Sequence, residues 1–254
     1  MKKTVRLLSL LLAFVLCMTG NALAAGKKET ATPVPPPVDI TTDVIEEVPE
    51  QIQQMLDIAH AEWEELQGKK QKKSNKYTKW WNNYDWEWCA GFVTWCMLEA
   101  GIPTELEPDI LAEPEGSREG VFCVRGSSPA KYSHAFLHMH RVTMVPQKGF
   151  VLLYGKKGKN GTWHVGIVYD VQSLGDGKYR ITTLEGNVKN SVWMFVHDYD
   201  MNADKKAGNI SLVPKDEQTE TDQKAFSYKY TYDDKDMYVN YFLMTWIPGE
   251  TDNP

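Results

Sequence analysis

Two strand-like runs joined by a glycine-rich turn constrain the fold of this chain more than any other feature. Residues 163–171 and 178–184 are rich in branched and aromatic side chains, and Ser-Leu-Gly-Asp-Gly at 173–177 separates them. Such side chains suit pleated strands, and a short connection of this kind favours a hairpin. The second half of the chain therefore predicts an antiparallel sheet, with further strands at 150–154, 192–196 and 238–246.

The first half of the chain has helical periodicity. Apolar residues recur at spacings of three and four, which predicts a helix over about residues 49–67. A second apolar pattern begins at Cys89 and is stopped by Gly101, and Ser-Ser-Pro at 127–129 predicts the start of a short helix through His134. Helices followed by a meander of strands predict an α+β fold, with N-terminal helices packed on one side of an antiparallel β-sheet.

Three polar segments interrupt these elements. The Lys-rich segment 69–76 is predicted to be a solvated loop, and the acidic segment 103–120, rich in proline and glycine, a second loop. Residues 200–224 are polar and poorly periodic, which indicates a long insertion or loop.

The start of the chain has the features of a secretory signal peptide. Residues 1–6 are basic, residues 7–18 are apolar, and Ala-Leu-Ala at 22–24 fits a cleavage site, so we expect residues 1–25 to be removed. The apolar run is shorter than the roughly 20 residues that a membrane span needs. Leu16 stands before Cys17 where a lipid-anchored protein has a small residue. The mature protein is therefore expected to be secreted, without a membrane anchor.

The mature chain is predicted to consist of a linker and one domain. Residues 26–48 are polar and then proline-rich, which favours a semi-rigid linker, and residues 49–254 are long enough for a single domain with a sizeable core. The net charge of −6 argues against a protein that binds nucleic acid. Nine tryptophans and twelve tyrosines suit a groove for sugar or peptide, although aromatic residues also simply build cores.

The cysteines leave at least one thiol free. Without Cys17 the mature protein keeps three cysteines, an odd number: Cys89, Cys96 and Cys123. Cys89 and Cys96 are two helical turns apart, about 10 Å, which is too far for a disulfide. Either Cys96 pairs with Cys123 or all three are free, and both outcomes can leave Cys89 reduced.

Cys89 and the hairpin together supply the groups of a cysteine nucleophile system. Cys89 opens an apolar helix, where unpaired amides and the macrodipole favour the thiolate that attacks carbonyls. If the hairpin turns near Gly175, His164 lies opposite Asn187, with Glu185 diagonal and on the same face. A carboxylate beside an imidazole orients it and supports its cationic form. The alternative is a half-exposed strand with incidental polar residues.

Three motifs resemble those of one family. Trp-Cys-Ala-Gly-Phe-Val-Thr-Trp-Cys at 88–96 is similar to the nucleophile motif of the CHAP family, the cysteine, histidine-dependent amidohydrolases/peptidases. Trp-His-Val-Gly-Ile-Val at 163–168 resembles its histidine motif, and Thr-Leu-Glu-Gly-Asn at 183–187 its third motif. The motifs follow the family order within residues 75–195. The resemblance implies a papain-like cysteine hydrolase fold and cleavage of peptidoglycan by an amidase or endopeptidase.

The resemblance also implies a role for each matching residue. Cys89 is expected to be the nucleophile, His164 the general base, Glu185 the residue that orients the imidazole, and Asn187 a helper. The family's Pro-x-x-Gly-Asp start of the histidine strand is altered here, because Phe150 follows the glycine.

Substrate contacts are expected from aromatic residues beside the motifs. Trp88, Tyr84 and Trp163 are the candidates. The Cys89 backbone N–H is one expected oxyanion donor, and the loop before it, with Tyr84, is expected to supply a second. Acidic residues before the cysteine do not reproduce a calcium-loop spacing, so no metal and no cofactor are expected.

Other clusters have plainer explanations. His134, His138 and His140, with Cys123 nearby, could be metal ligands, but a surface or groove-lining position is favoured since no fourth ligand is fixed. The acidic residues of the first helix are interpreted as a solvated face: Glu62, Glu64 and Glu65.

The function predicted is a secreted enzyme of the cell wall. The expected partner is peptidoglycan, without nucleic acid or membrane, and the protein is expected to be a monomer. Two alternatives stay open: a catalytically silent wall- or peptide-binding domain of the same fold, and a cysteine peptidase that acts on other proteins.

Overall fold

The computed structural model of the chain describes residues 36–66, 68–81, 87–116, 118–158, 161–205, 207–213, 217 and 237–249. The predicted signal peptide, residues 1–25, and Tyr84 lie outside the described residues. In chain order the helices are α1 (Glu50–Leu66), α2 (Lys76–Lys79), α3 (Cys89–Glu99), α4 (Glu107–Leu111) and α5 (Pro129–His138). The strands are β1 (Thr104–Leu106), β2 (Cys123–Arg125), β3 (Val142–Thr143), β4 (Val151–Lys156), β5 (Thr162–Gly175), β6 (Lys178–Val188), β7 (Ser191–Asp200), β8 (Ile210–Leu212) and β9 (Met237–Leu243).

Seven strands of the described chain form one sheet in the order β3-β9-β4-β5-β6-β7-β8. Every neighbouring pair is antiparallel. Helices and an antiparallel sheet together confirm the α+β class predicted from the sequence. The order of the strands has one long-range feature, because the last strand, β9, lies between β3 and β4.

The central hairpin has the predicted register beside the motifs. Ile167 pairs with Leu184 and Val168 with Thr183, as a turn near Gly175 requires. Closer to the turn the pairing slips by one residue, so that Asp170 faces Thr182. The slip is a bulge in the ladder, and it leaves the half of the hairpin that carries the motifs in the expected alignment.

Helix α1 follows its apolar periodicity, with Ile52, Met55, Leu56 and Ala59 in the core. The helix differs from expectation at Glu62, which is buried rather than solvated. Its carboxylate accepts hydrogen bonds from Lys76 Nζ at 2.6 Å and from the Tyr77 hydroxyl. These donors explain the burial, because a buried carboxylate is tolerated only when it is paired.

Helix α3 begins at Cys89, as predicted, and packs against α1, β5 and β6. Two glycines allow this close packing. A Cβ on Gly91 would lie 2.7 Å from the carbonyl oxygen of Tyr77, and a Cβ on Gly186 would lie 2.3 Å from Phe92 Cβ. Side chains at either position would push α3 away from its neighbours. The glycines therefore fix the distance between the cysteine helix and the strands of the hairpin.

Two segments expected to be loops contain short elements. Residues 103–120 include β1 and α4, and β1 pairs with β2 in parallel. Residues 200–213 include β8, which pairs with β7. Elements of three to five residues are too short to show periodicity, so tertiary pairing decides their conformation.

The described part of the predicted linker, residues 36–48, packs on the domain. Val38 N–H donates to Val142 O at 2.7 Å, and Ile45 N–H donates to Gln147 Oε1 at 2.9 Å. Apolar side chains of the segment contact the core: Val38, Ile40, Val44, Ile45 and Val48. The proline-rich composition hid these apolar residues, and the domain begins before residue 49.

No helix within the described residues is both long enough and apolar enough to cross a membrane.

Candidate active site

Cys89 is the first residue of α3, and 5% of its surface is exposed. The first backbone bond of the helix joins Phe92 N–H to Trp88 O at 2.9 Å. Amides in the first turn of a helix lack intrahelical acceptors, and the helix dipole is positive at this end. The thiol therefore lies where a negative charge is stabilised. Cys96 and Cys123 are buried and do not form a disulfide with each other. All three cysteines among the described residues are therefore free thiols, which is the second of the two alternatives considered from the sequence.

His164 stands at the start of β5, buried between Cys89 and Glu185. Its Nε2 lies 3.0 Å from Glu185 Oε2, and Cys89 lies near enough to the imidazole to raise its pKa. An imidazole has two nitrogens, so Nδ1 is the one left for the sulfur. The hairpin thus brings together the three side chains that the sequence predicted, and the shared face of His164 and Glu185 is as expected.

Glu185 is fully buried on β6 and is surrounded by donors. Its Oε1 accepts from the Tyr154 hydroxyl at 2.5 Å and from Thr183 Oγ1 at 2.7 Å. Gly166 makes room, because a Cβ there would lie 2.7 Å from Glu185 Cγ. Burial alone would raise the pKa of this carboxyl, but the hydrogen bond and positive charge of His164 hold its pKa well below the usual value. Glu185 is therefore a carboxylate.

The charge of the imidazole follows from its two neighbours. Burial lowers the pKa of His164, but the negative charge and hydrogen bond of Cys89, together with Glu185, outweigh burial and raise the pKa to about 10. A protonated ring at this place can serve as the counter-ion of a thiolate at Cys89. Such a pair can attack a carbonyl carbon and then supply a proton to the leaving group.

Three buried residues around Glu185 were missed by sequence reasoning. Tyr154 on β4 and Thr183 on β6 donate to it, and His197 on β7 lies with its Nε2 3.8 Å from Oε1. Tyr154 ends an apolar run and reads as a core residue. His197 directly follows the predicted strand 192–196 and lies two residues after buried Phe195, on the same face of the strand. A polar residue at such a buried position is the sequence signal that could have identified it.

Asn187 does not face the imidazole in the described structure. Its backbone is left-handed, with φ of 63°, and its side-chain amide donates to Glu87. The β6–β7 ladder is irregular between Glu185 and Val188, so the strand alternation used for the expectation ends there. Asn187 instead ties the end of β6 to the segment that leads into Cys89.

The two described aromatic candidates for substrate contact differ. Trp163, next to His164, is 52% exposed, and Lys156 Nζ lies 4.5 Å from its ring centroid. Trp88 is only 1% exposed and stacks on Tyr77 with 4.9 Å between centroids. The structure gives Trp88 a packing role at the start of α3, in place of the substrate contact expected from the sequence. Trp163 remains available to a ligand.

A small recess of about 20 Å³ lies beside the N-terminal end of α3. Its walls are mostly aromatic, and Glu87 and Ser127 are among its polar residues. The remaining lining residues are Tyr77, Thr78, Trp80, Trp81, Trp88 and Gly91. A recess of this size holds about one water molecule, so it is too small to bind part of a substrate.

The histidines of α5 and its C-terminal end each have a separate partner. His134 Nδ1 lies 2.9 Å from Glu107 Oε1, and His138 Nε2 lies 2.8 Å from the carbonyl oxygen of Glu113. His140 is 3.4 Å from Glu115. Within the described ranges no three His, Cys, Asp or Glu residues are grouped to hold a metal ion. These histidines link α5 and the turn after it to the segment around α4.

A model of the CHAP domain family matches residues 79–187. Residues 79–187 are a CHAP domain. The match spans Cys89, His164 and Glu185, and the helices with an antiparallel sheet agree with the papain-like fold of CHAP domains. A CHAP domain supports hydrolase activity of the amidase or peptidase type. No curated protein and no solved structure matches the chain.

Proposed function

We propose that this protein is a secreted cysteine hydrolase that cleaves amide bonds in bacterial peptidoglycan. The bond is either the N-acetylmuramoyl-L-alanine amide or an amide of the peptide part. The observation that carries the proposal is the imidazole of His164, which bonds Glu185 at 3.0 Å and lies near Cys89 inside a CHAP domain. A binding module has no need of a thiolate–imidazole pair.

The geometry supports acyl transfer in two steps. The Cys89 thiolate attacks the amide carbonyl carbon, and the backbone N–H of Cys89 is the proposed donor to the developing oxyanion. His164 gives its proton to the leaving amine, which departs as the C–N bond breaks and a thioester remains. His164 then takes a proton from water, which attacks the thioester and releases the acid and the Cys89 thiolate. Glu185 keeps the ring oriented and stabilises its charged form.

The polymer is the proposed partner, and the protein is proposed to act on it as a monomer without metal or cofactor. Exposed Trp163 beside His164 offers an aromatic surface to a glycan or peptide. Secretion rests on the signal peptide predicted at residues 1–25, which would deliver the enzyme to the cell wall. A net charge of −6 gives no attraction to anionic wall polymers, so binding must come from specific contacts.

The test is product analysis of digested peptidoglycan, with two cysteine variants. The unchanged protein should release soluble fragments, and Cys89→Ala should release none. Cys96→Ala is the matched control, because it removes a buried free thiol from the same helix and should stay active. Mass spectrometry of the fragments identifies the bond, since an amidase frees whole stem peptides and an endopeptidase shortens them.

Other outcomes separate the alternatives. Equal release by the unchanged protein and Cys89→Ala would remove Cys89 as nucleophile. If neither releases fragments but both sediment with the polymer, the silent binding domain is favoured. Cleavage of an unrelated protein such as casein, without release from peptidoglycan, favours a peptidase that acts outside the wall.

A further inference from the structure

A chain of buried hydrogen-bonding groups continues from Glu185 to Tyr154 and His197. The Tyr154 hydroxyl lies 2.5 Å from Glu185 Oε1, and His197 Nε2 lies 3.4 Å from the Tyr154 hydroxyl. All three residues are at most 1% exposed. They come from β6, β4 and β7, which with β5 form a continuous part of the sheet, so the sheet itself holds them together. The acyl-transfer steps above make no use of Tyr154 or His197.

Which group donates each of these hydrogen bonds follows from the number of protons available. A carboxylate only accepts hydrogen bonds, so the single hydroxyl proton of Tyr154 points to Glu185. The hydroxyl lone pairs are then left to accept from His197, whose Nε2 must carry a proton. The 3.8 Å between His197 Nε2 and Glu185 Oε1 is too long for a direct bond, so Tyr154 is the link between them.

The other nitrogen of His197 supports this assignment. Nδ1 of His197 is buried and has no hydrogen-bond partner within the described residues. A proton there would be a buried donor without an acceptor, which is more costly than a bare nitrogen lone pair. The surroundings therefore favour a proton on Nε2, the nitrogen that donates to Tyr154.

The Glu185 carboxylate is the group that these hydrogen bonds can orient. Glu185 Oε1 is held by Tyr154 and by Thr183, which leaves Oε2 facing His164. A carboxylate held only by His164 could rotate with the ring, and the imidazole would lose its fixed angle to the Cys89 thiol. Small errors in the placement of reacting groups lower the rates of enzymes strongly.

We propose that Tyr154, itself held by His197, is a positioning residue that fixes the Glu185 carboxylate for His164. The inference rests on the proposed roles of Cys89, His164 and Glu185. It adds a second layer to the site that lies on β4 and β7. Part of that layer, His197, falls outside the stretch 79–187 matched by the CHAP family.

Tyr154→Phe is the first test, because it removes one hydroxyl and keeps the ring. Tyr199→Phe is its matched control: Tyr199 is also buried in the sheet, and its hydroxyl donates to the carbonyl oxygen of Met144 at 2.9 Å, away from the site. We expect kcat/KM for release of fragments from peptidoglycan to fall on the order of 10-fold in Tyr154→Phe. Tyr199→Phe should stay within about twofold of the unchanged protein.

The second readout needs no substrate. Iodoacetamide alkylation of Cys89, mapped by mass spectrometry across pH, follows the thiolate–imidazolium pair directly. Without the Tyr154 proton, Glu185 is less stabilised as an anion and supports the imidazolium less. The alkylation profile of Tyr154→Phe should therefore shift along the pH axis, by about half a unit or more, and that of Tyr199→Phe should not.

His197 is tested by two substitutions. His197→Gln keeps an N–H donor near the position of Nε2, and His197→Leu removes it. We expect His197→Leu to resemble Tyr154→Phe and His197→Gln to recover most of the activity and of the alkylation profile. In Tyr154→Phe/His197→Leu the two losses should not add, because His197 acts only through Tyr154.

The opposing outcomes are distinct. The inference is wrong if folded Tyr154→Phe has the same alkylation profile and kcat/KM as Tyr199→Phe, or if His197→Gln is as impaired as His197→Leu. The alkylation profile decides the matter even if peptidoglycan is not the substrate. If alkylation of Cys89 leaves hydrolysis intact, the proposed function fails separately, and the effect of Tyr154 on the thiol pair can still be read.

Discussion

At the scale of single residues, the site is organised around the Glu185 carboxylate, which solvent does not reach. Glu185 is 0% exposed, and an unpaired charge in such a place is unfavourable by several kcal/mol. Here Tyr154, Thr183 and His164 satisfy it. The carboxylate therefore has a fixed orientation and a fixed charge, and both properties pass to His164.

Glu185→Gln should lower kcat/KM by about 10²–10⁴-fold, the range seen when the acid behind a catalytic histidine becomes an amide. Glu185 helps Cys89 to outweigh the burial that lowers the His164 pKa, and together they raise it to about 10. Without the carboxylate the alkaline limb of the pH–rate profile should move to lower pH. An unchanged alkaline limb would contradict this role. Glu64→Gln, on the exposed face of α1, is the control.

The same carboxylate should shape stability in acid. The folded pKa of Glu185 lies below its usual value of 4.5, so the unfolded chain binds its proton first as the pH falls. The stabilisation is fully present above pH 4.5 and is lost progressively below it. Urea unfolding from pH 6 to pH 3 should therefore show a steeper loss of free energy in the unchanged protein than in Glu185→Gln. Equal slopes would mean that the buried pair contributes nothing.

Sequence reasoning found Cys89, His164 and Glu185 but not His197, for a physical reason. The turn near Gly175 sets the register of β5 against β6, and this places His164 beside Glu185. Nothing comparable sets the register of β6 against β7, whose ladder is irregular near Val188. The position of His197 therefore depends on a pairing that only the folded sheet defines.

At the scale of elements, the contact of α3 with its neighbours controls the position of the thiol. The periodicity of the apolar residues predicted the start and end of α3 correctly. It could not show how closely the helix packs, because the distance is set by the absence of a side chain at Gly91 and Gly186.

Gly91→Ala tests this packing, because helix propensity and packing predict opposite changes in the free energy of unfolding. By helix propensity alone, alanine in place of glycine stabilises a helix by about 1 kcal/mol. Here the new Cβ would lie 2.7 Å from the backbone oxygen of Tyr77, so we expect a net loss of about 1–3 kcal/mol in urea unfolding. Activity should fall as well, since α3 carries Cys89. A gain in stability would show that Tyr77 moves aside freely.

At the scale of the whole molecule, the domain extends beyond the stretch that carries the motifs. The CHAP match ends at residue 187, yet β7, β8 and β9 complete the same sheet. The order of helices and strands along the chain was enough to predict the α+β class. It could not predict that β9 enters the sheet between β3 and β4, because no local signal says which strands it will join.

Phe242→Ala tests whether β9 is essential to the domain. Phe242 is fully buried on β9, and its loss should lower the free energy of unfolding by about 3–5 kcal/mol. Ile210→Ala on the edge strand β8, where the side chain is only partly buried, is the control and should lose less. Urea unfolding measures both. Equal losses would mean that β9 is no more central than the edge.

The place of β9 also has a consequence for the timing of folding. Residues 237–243 lie between β3 and β4, two strands that come much earlier in the chain. The β3–β9–β4 part of the sheet therefore cannot form until β9 has been made, and until then Tyr154 on β4 has only β5 as a neighbour strand.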